Sequence, residues 1–172
     1  MDNRLPQADP RYAVAGSNYP LSAKQKALIA RAEELGPRFA ARAERFDREA
    51  SFPFENYADL RAAGLLALCV PESFGGMGAD LKTYALVSAT LGKYCGATAL
   101  TFNMHACSTL WPGILADDLD MTREQRAEHA RHRALHFDRV VKQGAIYAQP
   151  FSEGSAAAAG KAPFGTRAVK PC

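Results

Sequence analysis

The sequence predicts a mainly α fold: an orthogonal or up-and-down helical bundle, followed by the first strands of a β domain. Hydrophobic residues make up 48% of the 172-residue chain, and many of them are alanine, the strongest helix former. Apolar residues recur every three or four positions, as on one face of a helix. After Gly144 a short run containing Ile, Tyr and Phe replaces this spacing, which favours strands. We therefore divide the chain into an arm (1–20), a helical domain (21–143) and a β segment (144–172).

The first helix is predicted to begin near Ala23, with Ser22 as its N-cap. Its apolar face keeps one phase across Gly36 and Pro37, which predicts either one kinked helix or two nearly collinear helices. The face consists of Leu28, Ala32, Leu35, Phe39, Ala43 and Phe46.

Four further helices are predicted from caps and breakers. Pro53 suits the first position of the second helix, whose buried face should hold Phe54, Tyr57, Leu60 and Arg61, with Gly64 just beyond its end. Asp80 should cap the third helix. The fourth spans 97–115 and should kink or stop at Pro112. The fifth opens at Thr122, where Gln125 completes a capping box, and runs to about Lys142.

The glycine-rich stretch from Val70 to Asp80 is open to two interpretations. Glycines at 75, 76 and 78 allow positive φ or a close approach to another surface, so the stretch is either a tight connector or part of a site. It is not GxGxxG and carries no GKS/T, which argues against a dinucleotide or phosphate loop. We expect valine at Gly76 to impair folding, because a β-branched residue tolerates positive φ poorly.

Composition excludes several classes of function. A net charge of +3 spread along the chain gives no reason to expect nucleic acid as a partner. The sequence contains no run of about 18 apolar residues, so it predicts no membrane-spanning helix. The four cysteines form no CxxC pair, which indicates free thiols and a cytoplasmic location. Residues 1–20 lack the apolar core of a secretory signal.

The histidines give weak indications of chemistry. His129, His132 and His136 lie on one predicted helix, but no HExxH and no further ligand cluster accompanies them, so we expect a solvated face and no metal. His105 lies among apolar neighbours, which favours a hydrogen-bonded core histidine over a functional one. Ser152 and Glu153 form a polar turn after the predicted strand 145–151, either as an ordinary loop or as a polar edge contacting a cofactor.

Several of these motifs together resemble the acyl-CoA dehydrogenase family. The resemblance is carried by FPFENYADLRAAGLL at 52–66, VPESFGGMGAD at 70–80, LGKYC at 91–95, ATALT at 97–101 and YAQPFSEGS at 147–155. It covers about residues 22–170. The sequence departs from the family at Ser152-Glu-Gly154, where Thr-Glu-Pro is usual.

The resemblance implies an N-terminal helical domain, a β-barrel middle domain and a C-terminal four-helix bundle, commonly in a homotetramer. FAD would be the cofactor, an acyl-CoA the substrate, and a protein such as an electron-transfer flavoprotein the electron acceptor. It further implies flavin contacts from the main chain around Gln149 and Phe151 and from the hydroxyl of Ser152. Substrate contacts would come from Ser155 and, at the acyl end of the pocket, from Phe102, Met104 and His105.

The family's catalytic glutamate belongs to the C-terminal bundle, so the resemblance implies no catalytic base within these residues. Glu72 and Glu153 occupy other motifs. We therefore expect the chain to be an N-terminal portion that binds FAD weakly or not at all by itself. Two other readings stay open: a flavin-dependent monooxygenase of the same fold, which needs no such glutamate, and a non-catalytic helical assembly module.

Overall fold

A computed structural model describes residues 20–149 together with Gly165 and Val169. Two 3₁₀ turns, Leu65–Ala67 and Glu72–Phe74, precede the third helix, and a π-type turn, Trp111–Leu115, follows the fourth. No strand occurs among the described residues, so the mainly helical prediction is confirmed for them. Except for Pro20, the predicted arm lies outside the described residues. The helices are α1 (Ala23–Glu49), α2 (Phe54–Ala62), α3 (Leu81–Gly92), α4 (Gly96–Leu110) and α5 (Arg123–Gln143).

Side-chain caps start three of these helices at the predicted residues. The Ser22 and Thr122 hydroxyls accept hydrogen bonds from the Gln25 and Gln125 main chains in reciprocal capping boxes. Asp80 accepts from the Thr83 N–H at the start of α3. Such caps satisfy N–H groups that have no partner inside the helix, so local sequence alone sets these boundaries.

The first helix is a single helix that runs through Gly36 and Pro37. Its predicted apolar face is buried except for Ala43, which packs at the edge of the core. Gly36 allows the ring of Tyr94 to lie on the helix, because an added Cβ would come within 2.3 Å of that ring. Tyr94 lies in the turn between α3 and α4; α1 itself packs against α3, which in turn packs against α4.

The predicted face of α2 is wrong in two positions. Tyr57 and Leu60 are buried, but Phe54 is 71% exposed and Arg61 is also exposed. The buried polar residue is Asn56, whose side chain accepts from Arg42 and donates to Thr98. A buried amide with both partners satisfied costs little, and periodicity does not detect it. Pro53 is the N-cap of α2, one residue before the predicted position.

The α4 helix ends as Pro112 predicts. The π-type turn begins at Trp111, and Gly113 inside it departs from helical geometry, with φ −88° and ψ −123°. The carbonyl of Pro112 accepts a hydrogen bond from His129 Nε2 on α5. This hydrogen bond therefore connects the π-type turn to α5.

The predicted strand at 145–151 is not a strand over 145–149, and its remaining residues lie outside the described part. A strand needs a neighbouring strand for its main-chain hydrogen bonds, and the described residues supply none. The main chain here bonds to helices: Ala145 N–H donates to the Arg139 carbonyl, and Tyr147 N–H donates to the His105 ring.

The glycine-rich stretch folds back on residues 67–70. Met77, Gly78 and Ala79 donate main-chain hydrogen bonds to the carbonyls of Ala67, Val70 and Leu68 at 3.0, 2.8 and 2.9 Å. Positive φ occurs at Gly75 and Gly78 but not at Gly76, so the reason expected for the Gly76 constraint is wrong. At Gly76 an added Cβ would lie 2.2 Å from the Val70 carbonyl oxygen, and this close main-chain approach is what requires glycine.

Gly76→Ala should therefore destabilise the protein, by about 1–3 kcal/mol, as overpacking does elsewhere. Denaturant unfolding of the 172-residue chain measures this change. Gly96→Ala is the matched control, since an added Cβ there has nothing within 4 Å. Equal stability of the two variants would contradict the close approach.

Candidate functional site

The candidate site lies where the chain leaves α5 and runs against α4. We call residues 144–149 the exit segment. Gly144 ends α5 in the left-handed region, with φ 66°, and the Arg61 guanidinium fills the place that a Cβ would occupy. The chain therefore turns sharply at Gly144, and Tyr147 and Gln149 then contact α4.

His105 joins the exit segment to the first 3₁₀ turn. Its ring is fully buried, with Nε2 2.8 Å from the Leu66 carbonyl oxygen and Nδ1 3.1 Å from the Tyr147 nitrogen. A main-chain N–H only donates and a carbonyl only accepts, so Nε2 carries the proton and Nδ1 accepts. The neutral imidazole thus satisfies both main-chain groups at once.

A second set of contacts surrounds this histidine. The Gln149 side-chain amide donates to Ser108 Oγ at 2.8 Å, and the ring of Tyr147 stacks on His136 with centroids 4.1 Å apart. His136 Nε2 in turn lies 2.8 Å from the Ser108 carbonyl oxygen. The exit segment is therefore attached to both α4 and α5.

The electrostatics of the site favour neutral groups. Burial lowers the pKa of His105, and the nearby His136 lowers it further, against a raising effect of the Leu66 carbonyl. Burial also raises the pKa of the Cys69 thiol to about 12. A thiol of this kind stays protonated at neutral pH and is not a nucleophile.

The structure places the predicted substrate residues differently from one another. Phe102 and His105 are fully buried in the helical core, whereas Met104 is half-buried. The core interpretation of His105 is confirmed by its burial and its two hydrogen bonds. Contact of these three residues with substrate stays a prediction, as does that of Ser155, which lies outside the described residues.

Of the three predicted flavin residues, only Gln149 is described. Its side-chain amide donates to Ser108 Oγ, and the flavin contact of its main chain stays a prediction. Phe151 and Ser152 lie outside the described residues, so their contacts stay predictions.

Sequence patterns missed the residues that organise the site. Ser108 and Tyr147 were not singled out, and His136 was considered only as a metal ligand. His105 and Ser108 are three residues apart and thus lie on one face of α4, a signal that could have grouped them. Their partners in the exit segment are Tyr147, 42 residues after His105, and Gln149, 41 residues after Ser108. No local sequence pattern spans such a distance.

Neither a phosphate loop nor a metal centre is built here. The N–H groups of Gly75, Gly76, Met77 and Gly78 all donate to main-chain carbonyls, so they are not free to bind an anion. Among residues 20–149, Gly165 and Val169, no three His, Cys, Asp or Glu side chains group as a metal site. No helix in this described part is both long and apolar enough to cross a bilayer.

Comparison with known proteins gives a family match over most of the helical domain. The family model described as "Acyl-CoA dehydrogenase, N-terminal domain" matches residues 22–136. The match contains α1 to α4, the glycine-rich stretch, His105 and most of α5.

Several curated proteins are similar to the chain. Cyclohex-1-ene-1-carbonyl-CoA dehydrogenase of Syntrophus aciditrophicus is 40% identical over 109 residues, 61% of this chain and 25% of that protein. A probable acyl-CoA dehydrogenase of Bacillus subtilis is 30% identical over 86 residues, which are 49% of this chain and 23% of that protein. Human mitochondrial short-chain specific acyl-CoA dehydrogenase is 31% identical over 70 residues, which are 41% of this chain and 17% of that protein. The chain thus spans a quarter or less of these relatives.

The His105 contacts predict a pH-dependent stability. Because its folded-state pKa lies below the ordinary value of 6.5, the unfolded chain takes up a proton that the folded chain does not as pH falls below this value. Stability should therefore decrease on acidification from pH 6.5, before most carboxylates titrate. Urea unfolding across this range should show a shallower dependence for His105→Gln. The exposed His132 provides the control His132→Gln, which should follow the wild type; identical slopes for all three proteins would refute a neutral His105.

Proposed function

This chain belongs to the acyl-CoA dehydrogenase family, and we propose that it supplies the helical N-terminal part of an FAD-dependent oxidoreductase. The reaction would remove hydrogen across the Cα–Cβ bond of an acyl-CoA thioester. The relatives at 40% and 31% identity bear the names of acyl-CoA dehydrogenases, which supports this general kind of reaction.

The observation that carries the proposal is the attachment of the exit segment to α4. Three residues after Gln149 comes the Ser152-Glu-Gly sequence, which the resemblance aligns with the family's Thr-Glu-Pro turn. The hydrogen bond from Gln149 to Ser108 fixes the chain immediately before this turn. A rigid approach to a cofactor reduces the entropy lost on binding, so such an anchor suits a cofactor-contacting segment.

In this proposal the chain binds and orients, and does not supply the base. FAD, when bound, would accept the hydride. The main chain at Gln149 and Phe151 and the Ser152 hydroxyl would contact the flavin. Ser155 would lie near the acyl-CoA, and Phe102, Met104 and His105 would form the acyl end, with Met104 the partly exposed member.

The position of Glu72 argues against its being the proton acceptor. It lies on the surface in an ion pair with Lys24, and this hydrogen-bonded ammonium lowers the pKa of Glu72. A carboxylate of lowered pKa is a weaker base at neutral pH. We therefore assign the base to the C-terminal bundle of the family fold, and the β segment from 144 onwards to its middle barrel.

We extend the proposal to a cytoplasmic homotetramer that transfers electrons to an acceptor such as an electron-transfer flavoprotein. The family resemblance supports the homotetramer and the acceptor, and the free cysteines support the cytoplasmic location. The same fold used as a flavin monooxygenase, or as a non-catalytic helical module, would give different results in the test below.

The test is anaerobic titration of the FAD-loaded protein, expressed from the complete reading frame, with a panel of acyl-CoAs. At least one should bleach the flavin absorbance, because hydride transfer reduces the ring. Ser152→Ala should weaken FAD binding about tenfold through the lost hydrogen bond, while Ser73→Ala, at an exposed serine, should not.

Bound flavin that no acyl-CoA reduces would contradict the proposal. Reduction by a nicotinamide cofactor followed by oxygen consumption would favour the monooxygenase. A protein that retains no flavin through gel filtration would favour the non-catalytic module.

A further inference from the structure

We propose that His105 is a positioning residue, whose neutral ring fixes the exit segment to α4 and to the Leu66 carbonyl. This assignment of position is independent of the flavin, and its consequence for cofactor binding rests on the proposed function. The inference comes from the two hydrogen bonds of the ring and from the connections on either side of it.

The first step is the geometry of the ring. Its two nitrogens meet a carbonyl and an N–H that belong to different parts of the chain, 39 and 42 residues away. The histidine ring is fully buried, whereas Tyr147 is half-buried. Removing the ring would leave both main-chain groups without these hydrogen bonds, and the loss would weigh most on the buried Leu66 carbonyl.

On one side of the ring, the Leu66 carbonyl belongs to a part of the chain that is bonded to the glycine-rich stretch. Leu66 precedes Ala67 and Leu68, whose carbonyls accept from Met77 and Ala79 of the glycine-rich stretch. The Leu66 carbonyl is therefore held by a rigid, internally bonded unit. A hydrogen bond to this unit fixes the orientation of the imidazole, as a second partner does for any functional histidine.

On the other side of the ring, Tyr147 belongs to the exit segment, which is also held by side-chain hydrogen bonds. The Tyr147 hydroxyl donates to the His136 carbonyl at 3.4 Å, and the Gln149 side chain donates to Ser108. Both of these contacts come from side chains, whereas the bond to His105 is made by the main chain. After Ala145, whose N–H bonds to the Arg139 carbonyl, the His105 bond is therefore the main-chain hydrogen bond of the described exit segment that lies nearest to residue 150.

Hydrogen exchange of the Tyr147 amide in the 172-residue chain tests the inference directly. In the wild type this amide should be protected. His105→Leu removes both ring nitrogens at similar size, and should speed exchange at Tyr147 by about tenfold or more relative to the buried α1 amide of Phe39. His105→Gln, which offers one donor and one acceptor, should restore most of the protection.

Tyr147→Phe is the matched control, because it removes the hydroxyl and leaves the main-chain N–H in place. In this variant the main-chain amide of residue 147 should stay protected from exchange. An unprotected amide in the wild type, or equal acceleration at positions 147 and 39 in His105→Leu, would overturn the inference, since the histidine would then be an ordinary core residue.

The consequence for the cofactor is measured separately in the FAD-loaded protein from the complete reading frame. His105→Leu should weaken FAD binding about tenfold, and His105→Gln should not. With the exchange results as expected, unchanged FAD affinity would show that the exit segment is positioned for another purpose. Absence of any flavin binding would defeat the proposed function and leave the positioning role supported.

Discussion

Two main-chain groups, the buried Leu66 carbonyl and the partly buried Tyr147 N–H, meet at the neutral ring of His105. Buried peptide groups must be paired, and most are paired within regular secondary structure. These two lie where the chain is irregular, one at a 3₁₀ turn and the other beyond the end of α5. A single side chain on α4 therefore joins the 3₁₀ turn that precedes the glycine-rich stretch to the exit segment.

The glycine-rich stretch is the other half of this arrangement. Its N–H groups donate to main-chain carbonyls of residues 67–72 and so are not free for an anion. The close approach to the Val70 carbonyl is why Gly76 must lack a side chain. The stretch that identifies the family in the sequence is thus a structural unit. Its role in function is indirect: it holds the carbonyl to which His105 bonds.

The parts of the fold that depend on local sequence could be predicted. The caps at Ser22, Asp80 and Thr122 and the break at Pro112 involve neighbours within one turn of helix, so the residues themselves specify them. The burial of Asn56 and the exposure of Phe54 could not be predicted, because they depend on partners in α1 and α4 and on what covers the helix. The run at 145–149 contains strand-forming residues, but the described chain offers it only helices to bond. The candidate site follows the same division, since its histidine was visible in the sequence and its partners were not.

The protonation state of the His105 ring is the most direct test of this account. A long-range proton–nitrogen NMR spectrum of the 172-residue chain at neutral pH distinguishes the two tautomers and the cation. We expect a neutral ring with the proton on Nε2 and a bare, hydrogen-bonded Nδ1. A proton on Nδ1, in either the other tautomer or the imidazolium, would place two donors face to face at Tyr147 and contradict the account.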